Sequence, residues 1–111
     1  MTGAAGVAVL ERLAQVIATR RGADPNASYT ARLFAGGREA IAAKVTEEAQ
    51  ETALAARSES PQRVAAESAD LLYHLLVLWA ETGVVAADVW AELARREGTS
   101  GLAEKAARRP R

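Results

Sequence analysis

The fold is decided by one segment, residues 60–83, which reads SPQRVAAESADLLYHLLVLWAETG. Ser60 is a natural N-cap, and Pro61 suits the first helical position because that position needs no backbone N–H. Gly83 is a typical stop signal at the other end. The segment therefore predicts a long helix that begins at Pro61, runs to about Glu81 and stops near Gly83.

The centre of this predicted helix, residues 71–80, is apolar on every side. A helix that is hydrophobic all round lies inside a core larger than a few short neighbours can supply. We therefore expect an obligate homodimer, or a higher homo-oligomer, with this helix at or near the interface. Within the apolar run, His74 is more typical of a hydrogen-bonded core histidine than of a metal ligand, and Tyr73 needs a partner for its hydroxyl.

Outward from this segment, the rest of the chain also predicts helices. Apolar residues recur at helical spacing over 7–19, 37–57 and 86–97, and a short helix capped by Ser28 precedes the second of these. No alternating apolar and polar stretch predicts a strand. The predicted fold is an all-α antiparallel bundle of about four main helices. We assign residues 1–97 to one domain and residues 98–111 to a C-terminal tail, with one helical turn around 102–107.

The composition excludes several classes of protein. Lysine plus arginine and aspartate plus glutamate number 14 each, so the basic excess expected of a nucleic-acid partner is absent. The arginine pairs at 20–21, 95–96 and 108–109 are either helix ends and tail charges or a grip on substrate phosphates. There is no cysteine, no signal peptide is indicated, and the longest apolar run is too short to span a membrane. We therefore expect a cytoplasmic protein without a membrane partner.

Acidic residues gather on one face of the helix predicted over 37–57. At 100° per residue, Lys44, Glu47, Glu48 and Glu51 fall within an arc of about 100°. In isolation, such carboxylates are most simply a solvated helix face. Lys44 has two interpretations, a salt bridge to Glu47 or Glu48 and a contact with a substrate phosphate.

A second acidic pair, Glu67 and Asp70, lies one turn apart on the next helix. If the turn between the helices is centred on Glu59, antiparallel packing places Glu51 level with Glu67 and Glu48 level with Asp70. Four carboxylates would then converge and repel one another unless a cation neutralises them. Oxygen ligands favour Mg²⁺, with Mn²⁺ as the alternative. The competing interpretation of Glu67 and Asp70 is a pair of acids that stabilise a helix N-terminus.

The two-part motif, Glu47-Glu48-x-x-Glu51 followed by Glu67-x-x-Asp70, resembles that of the MazG-like all-α nucleotide pyrophosphohydrolases. Three longer segments, residues 28–34, 44–49 and 69–77, are similar to the phosphoribosyl-ATP pyrophosphatase family. The resemblance extends from about Val9 to Arg96. Arg32 stands where the family often has lysine, which keeps the charge although the two side chains bind phosphate differently.

The resemblance implies an enzyme that hydrolyses phosphoribosyl-ATP to phosphoribosyl-AMP and pyrophosphate, the second step of histidine biosynthesis, in a form without a fused cyclohydrolase. It further implies that Glu48, Glu51, Glu67 and Asp70 bind Mg²⁺. Glu47 would complete the metal shell or act with Glu48 on the attacking water. Lys44 and Arg32 are the candidate substrate contacts.

Two other functions stay open at this point. A housecleaning pyrophosphohydrolase acting on free nucleotides such as dCTP or dUTP would share the acidic motif and differ in its substrate pocket. A helical dimerisation module without catalytic activity would carry the same acids as solvated residues and would bind no magnesium.

Overall fold

The computed structural model describes residues 6–98 and 101–108 of the chain. Six helices occupy this part of the sequence, and it contains no strand. The helices are α1 (Ala8–Thr19), α2 (Tyr29–Gly36), α3 (Arg38–Ser58), α4 (Pro61–Thr82), α5 (Ala86–Glu97) and α6 (Gly101–Ala107). The predicted all-α fold is confirmed. The tail helix is longer than the single turn predicted for it, and Thr99, Ser100 and residues 109–111 lie outside the described residues.

The helix ends form where the sequence predicts them. The Ser60 hydroxyl accepts a hydrogen bond from the Arg63 amide at 3.2 Å, and Pro61 occupies the first turn of α4. Gly83 ends α4 with a φ of 78°, a left-handed conformation that glycine adopts without the steric cost of a Cβ. Ser28 caps α2 by accepting from the Ala31 amide at 3.1 Å. These local signals fix where each helix begins and ends.

The long helices α3 and α4 pack against each other as an antiparallel pair, and α1 and α2 close one side of it. The buried core contains Ile17 of α1, Leu33 of α2, Ile41 of α3, and Leu76 and Val77 of α4. The core residues that belong to the pair, Ile41, Leu76 and Val77, lie toward its end away from the α3–α4 turn. The core therefore holds α1 and α2 at that end and leaves the middle of the pair for polar groups.

The helix α5 lies against little of the rest of the chain. Its axis is bent by 117° from that of α4, and Trp90 makes an edge-to-face contact with Trp79 at 5.7 Å between ring centroids. None of its side chains is buried, although Leu93 and the adjoining Val85 are apolar. Among the described helices, no single one has the length and apolarity to cross a membrane, while the bent pair of α4 and α5 meets those two criteria together.

Candidate active site

Carboxylates of α3 and α4 meet in the middle of the helix pair. They form two overlapping groups, and the candidate ligand atoms within each group lie within 4.8 Å of one another. One group contains Glu47, Glu48 and Glu51, and the other contains Glu48, Glu67 and Asp70. The structure thus brings together all five acids that the sequence singled out. It arranges them as two triads that share Glu48, instead of the single cluster of four that was predicted.

The helix register explains this meeting. Glu48 of α3 and Glu67 of α4 face each other across the pair, and only 6% and 7% of their surfaces are exposed. Thr52 joins the two helices at the same height, because its hydroxyl lies 2.8 Å from the Glu48 carbonyl oxygen and 3.1 Å from that of Glu67. Thr52 was not among the residues predicted from the sequence. Its position four residues after Glu48, where a threonine hydroxyl commonly bonds back to the preceding turn, was the available signal.

The neighbouring acids raise the pKa of Glu51. The negative charge of Glu48 is the main cause that raises the pKa of Glu51, and desolvation and the charge of Glu67 act in the same direction. A carboxyl group whose pKa rises because of neighbouring carboxylates is in its less favourable form when ionised. The site as it stands therefore favours the arrival of positive charge.

Two basic side chains supply part of that charge, one at each end of the cluster. The Lys44 ammonium lies 3.3 Å from a carboxylate oxygen of Glu47 and 3.5 Å from one of Glu48. Burial opposes the charged form of Lys44, but the hydrogen bond to Glu47 and the nearby negative charges outweigh it and raise the pKa. The salt bridge predicted for Lys44 is confirmed, and its contact with phosphate stays a prediction.

Arg63 is the counterpart at the other end of the cluster. Its guanidinium donates to Glu67 Oε2 and also pairs with Glu59 at 3.3 Å. Arg63 was not predicted as a site residue, although a basic side chain four positions from an acid on the same helix face is a recognisable signal. Because half of the Arg63 side chain is exposed, this ion pair is accessible to solvent and to exchange of partners.

One buried oxygen atom has no partner. Within the described part of the chain, Glu67 Oε1 is buried and makes no hydrogen bond. An unpaired buried carboxylate oxygen is costly, and the Glu67 carboxylate that carries it belongs to the group with Glu48 and Asp70. A hard divalent cation satisfies such an atom and neutralises the surrounding acids, and Mg²⁺ binds oxygen ligands of this kind. The residues present therefore fit a divalent metal ion.

The remaining candidate residues take different places. Arg32 is exposed on α2, and its Nε donates to the Pro25 carbonyl oxygen at 3.3 Å. Arg95 and Arg96 pair with Glu92 on their own helix, and Arg21 donates to the Ala80 carbonyl oxygen at 2.7 Å. These three arginines thus have structural partners, as the helix-end interpretation predicts. Arg109 lies outside the described residues.

His74 is a buried core histidine with two hydrogen bonds, as predicted. Its Nδ1 lies 2.7 Å from the Asp70 carbonyl oxygen, and its Nε2 lies 2.9 Å from the Tyr29 hydroxyl. The Tyr73 hydroxyl finds its partner in Thr30. The contact between Tyr29 and His74 joins residues 45 positions apart and had no signal in the sequence.

Comparison with known proteins gives a single answer. The model of a family described as phosphoribosyl-ATP pyrophosphohydrolase matches residues 10–97. The phosphoribosyl-ATP pyrophosphatase of Rhodospirillum rubrum is 61% identical over 104 residues, which cover 94% of this chain and 89% of that protein. The protein of the same name from Paramagnetospirillum magneticum is 62% identical over 100 residues, covering 90% and 92% of the two chains. The one from Azospirillum brasilense is 57% identical, with 92% of each chain covered.

The match includes both carboxylate groups, since residues 47–70 lie well inside the matched range. It also covers the whole of α3 and α4 and almost all of α1. The family resemblance noted from the sequence motifs is confirmed. The chain belongs to the phosphoribosyl-ATP pyrophosphohydrolase family.

Proposed function

We propose that the chain hydrolyses phosphoribosyl-ATP to phosphoribosyl-AMP and pyrophosphate, as a step of histidine biosynthesis. Membership of the family supports this reaction, and relatives with more than half of their residues identical carry the corresponding name. The observation that carries the proposal is the meeting of the carboxylates of α3 and α4, with one buried oxygen unpaired. A solvated acidic face would not bury Glu48 and Glu67.

The proposal includes a magnesium ion, with manganese as the alternative, bound by Glu48, Glu51, Glu67 and Asp70. When bound, the ion would neutralise the triphosphate, lower the pKa of a water molecule and stabilise the leaving pyrophosphate. The metal ion would then exchange with Arg63 as the partner of Glu67 Oε2, because the half-exposed Arg63 side chain pairs with that oxygen. A hard cation and an exposed guanidinium compete for the same acid.

Glu47 is the proposed proton acceptor for the attacking water, with Glu48 beside it. Hydrolysis breaks the phosphoanhydride bond between the α- and β-phosphates, and the water supplies one oxygen and gives up a proton. Half of the Glu47 side chain is exposed, so a substrate-bound water reaches it without rearrangement of the helices. Glu48, buried and shared by both groups, holds the arrangement together.

Lys44 is the proposed phosphate contact. Its side chain is about one-third exposed (31%), and its ammonium bridges Glu47 and the proposed metal ligand Glu48. A substrate phosphate that enters this position offers the lysine a charged oxygen in place of a partly solvated carboxylate. Arg32 is a second phosphate candidate at the edge of α2, where its charge is exposed.

The proposal extends to the assembly and to the chain's domains. Three leucines, Leu72 of α4, Leu54 of α3 and Leu93 of α5, are 44%, 53% and 53% exposed in one chain. A second copy covering these side chains would complete the core in a homodimer. We assign residues 1–97 to the catalytic domain and residues 98–111 to the tail, and we expect the enzyme in the cytoplasm.

The test is pyrophosphate release from phosphoribosyl-ATP, ATP, dCTP and dUTP, each with magnesium and with EDTA. We expect release from phosphoribosyl-ATP alone, and only with the metal. Release from dCTP or dUTP instead would keep the metal site and overturn the substrate. No release from any of the four, together with no thermal stabilisation by magnesium, would leave a helical module without catalytic activity.

A further inference from the structure

The register that brings the acids together continues one turn further along α3 and α4. Glu51 is level with Glu67, and Glu48 with Asp70, so the next level pairs Lys44 with His74. At this level Lys44 forms ion pairs with Glu47 and Glu48, and His74 is hydrogen-bonded to Tyr29 of α2. A layer made of Lys44, His74 and Tyr29 therefore lies beside the carboxylates, on the side away from the α3–α4 turn.

Tyr29 is held firmly in this layer. The Asp70 carbonyl oxygen can only accept, so His74 carries a proton on Nδ1; in the neutral imidazole, Nε2 is then the acceptor for the Tyr29 hydroxyl. The Tyr29 ring also lies edge-on to His74, at 5.9 Å between centroids, and nearly parallel to Tyr73 at 6.4 Å. The hydrogen-bond chain thus runs from Tyr29 through a buried histidine to the backbone of Asp70, a residue of the candidate metal site.

Although its hydroxyl is bonded to His74, the Tyr29 side chain is exposed to solvent. Half of its surface (49%) is exposed, whereas His74 is 4% exposed. Tyr29 also lies near enough to Lys44 for the two side chains to interact electrostatically. The Tyr29 hydroxyl is already bonded to His74, so the part of the side chain left to contact a ligand is the exposed face of its ring. This ring lies beside Lys44, at the edge of the carboxylate site.

We propose that Tyr29 is a substrate-contact residue whose exposed ring stacks on the nucleobase of the nucleotide, while the phosphates lie at the carboxylates and Lys44. This inference rests on the proposed function. A base is the part of a nucleotide that an uncharged aromatic ring binds well, whereas the phosphates need cations. His74 is the positioning residue, because it fixes the direction of the ring without contacting the substrate.

A purely structural role predicts something different. If Tyr29 served only to join α2 to α4, its value would lie in the hydroxyl bond to His74 and in packing on Tyr73, and substrate affinity would not depend on the ring. Tyr29→Phe and Tyr29→Leu separate these roles, since both variants lose the hydroxyl bond and only the leucine variant loses the aromatic face. The phenylalanine variant is therefore the matched control for the leucine variant.

The experiment measures kcat and KM for phosphoribosyl-ATP, and inhibition by AMP and by pyrophosphate, in the wild-type protein and both variants. AMP carries a base and pyrophosphate does not. Relative to Tyr29→Phe, we expect Tyr29→Leu to weaken AMP inhibition and to raise KM by about fivefold or more, the lower end of what loss of a stacking ring costs. Inhibition by pyrophosphate should be the same in the two variants, and kcat should change less than KM.

The outcomes separate this inference from the function on which it rests. Equal KM and equal AMP inhibition in the two variants overturn the stacking role, while wild-type turnover of phosphoribosyl-ATP upholds the proposed reaction. A loss of pyrophosphate inhibition as large as the loss of AMP inhibition also overturns it, because that result indicates a general disturbance of the site. Absence of turnover in the wild-type protein overturns the proposed function and the inference together.

Discussion

Replacing Glu67 with glutamine tests the electrostatics of the site directly. Glu67 is buried against Glu48, one of its oxygens has no hydrogen-bond partner, and the other accepts from Arg63. Glutamine has nearly the same shape and removes one negative charge. The substitution therefore relieves repulsion in the metal-free protein and removes a proposed metal ligand.

The size of the effect follows from the spacing of the oxygens. Two unit charges 4.8 Å apart repel by about 3.5 kcal/mol at an effective dielectric constant of about 20. The substitution also removes the ion pair with Arg63, whose side chain is half exposed, and this loss destabilises the protein by up to about 1 kcal/mol. In the wild-type protein, the ion pair of Lys44 with Glu48 already offsets part of the repulsion. The expected net gain is roughly 1–2 kcal/mol, or about 4–8 °C in the melting temperature of the metal-free protein.

The assay is thermal unfolding of the wild-type protein and the variant in EDTA and in magnesium at about ten times its Kd. The wild-type protein should gain about 1.4 kcal/mol from the metal at that concentration, and Glu67→Gln should gain little. The control is Glu59→Gln, which removes the other carboxylate partner of Arg63 outside both acidic groups. A lower melting temperature for metal-free Glu67→Gln, or full stabilisation by magnesium, would refute the reasoning.

Three further predictions concern other parts of the molecule. Asp70→Asn should lower the rate of pyrophosphate release at least about 100-fold, because it removes a proposed metal ligand and each tenfold corresponds to only about 1.4 kcal/mol of transition-state stabilisation. Circular dichroism should show an unchanged helix content, and a loss of helix would instead indicate a structural role for Asp70. The folded-state pKa of Glu51 is raised, so its contribution to stability is present in full below the unfolded pKa and is lost as the pH rises through the folded pKa. Glu51→Gln should therefore flatten the pH dependence of the melting temperature in EDTA as the pH rises above 4.5, the ordinary pKa of this group, and an unchanged curve would contradict the assigned cause. Leu72→Glu places a charge on an apolar side chain that is 44% exposed in one chain, so sedimentation should show monomers in place of the proposed dimer, and an unchanged mass would place the interface elsewhere.

Local patterns in the sequence predicted the helices well, because the signals that start and stop a helix act within a few residues. The helix α4 begins with the Ser60 cap and Pro61 and ends at Gly83, as predicted, and Ser28 caps α2. The heights of the acids could also be predicted, since antiparallel helices share a fixed rise per residue and the turn between α3 and α4 is short. This is why Glu51 and Glu67, and likewise Glu48 and Asp70, were expected to meet across the pair.

The tertiary structure decided which atoms meet, because rotation of each helix about its axis and the side-chain rotamers depend on packing among all the elements. It made Glu48 the shared member of two triads, left Glu67 Oε1 without a partner and gave Arg63 to Glu67. It also docked α2 so that Tyr29 reaches His74, a contact between distant residues that no local pattern encodes. The sequence by itself determined the helices, their caps and the level of each acid, whereas the environment of each charge came only from the packed chain.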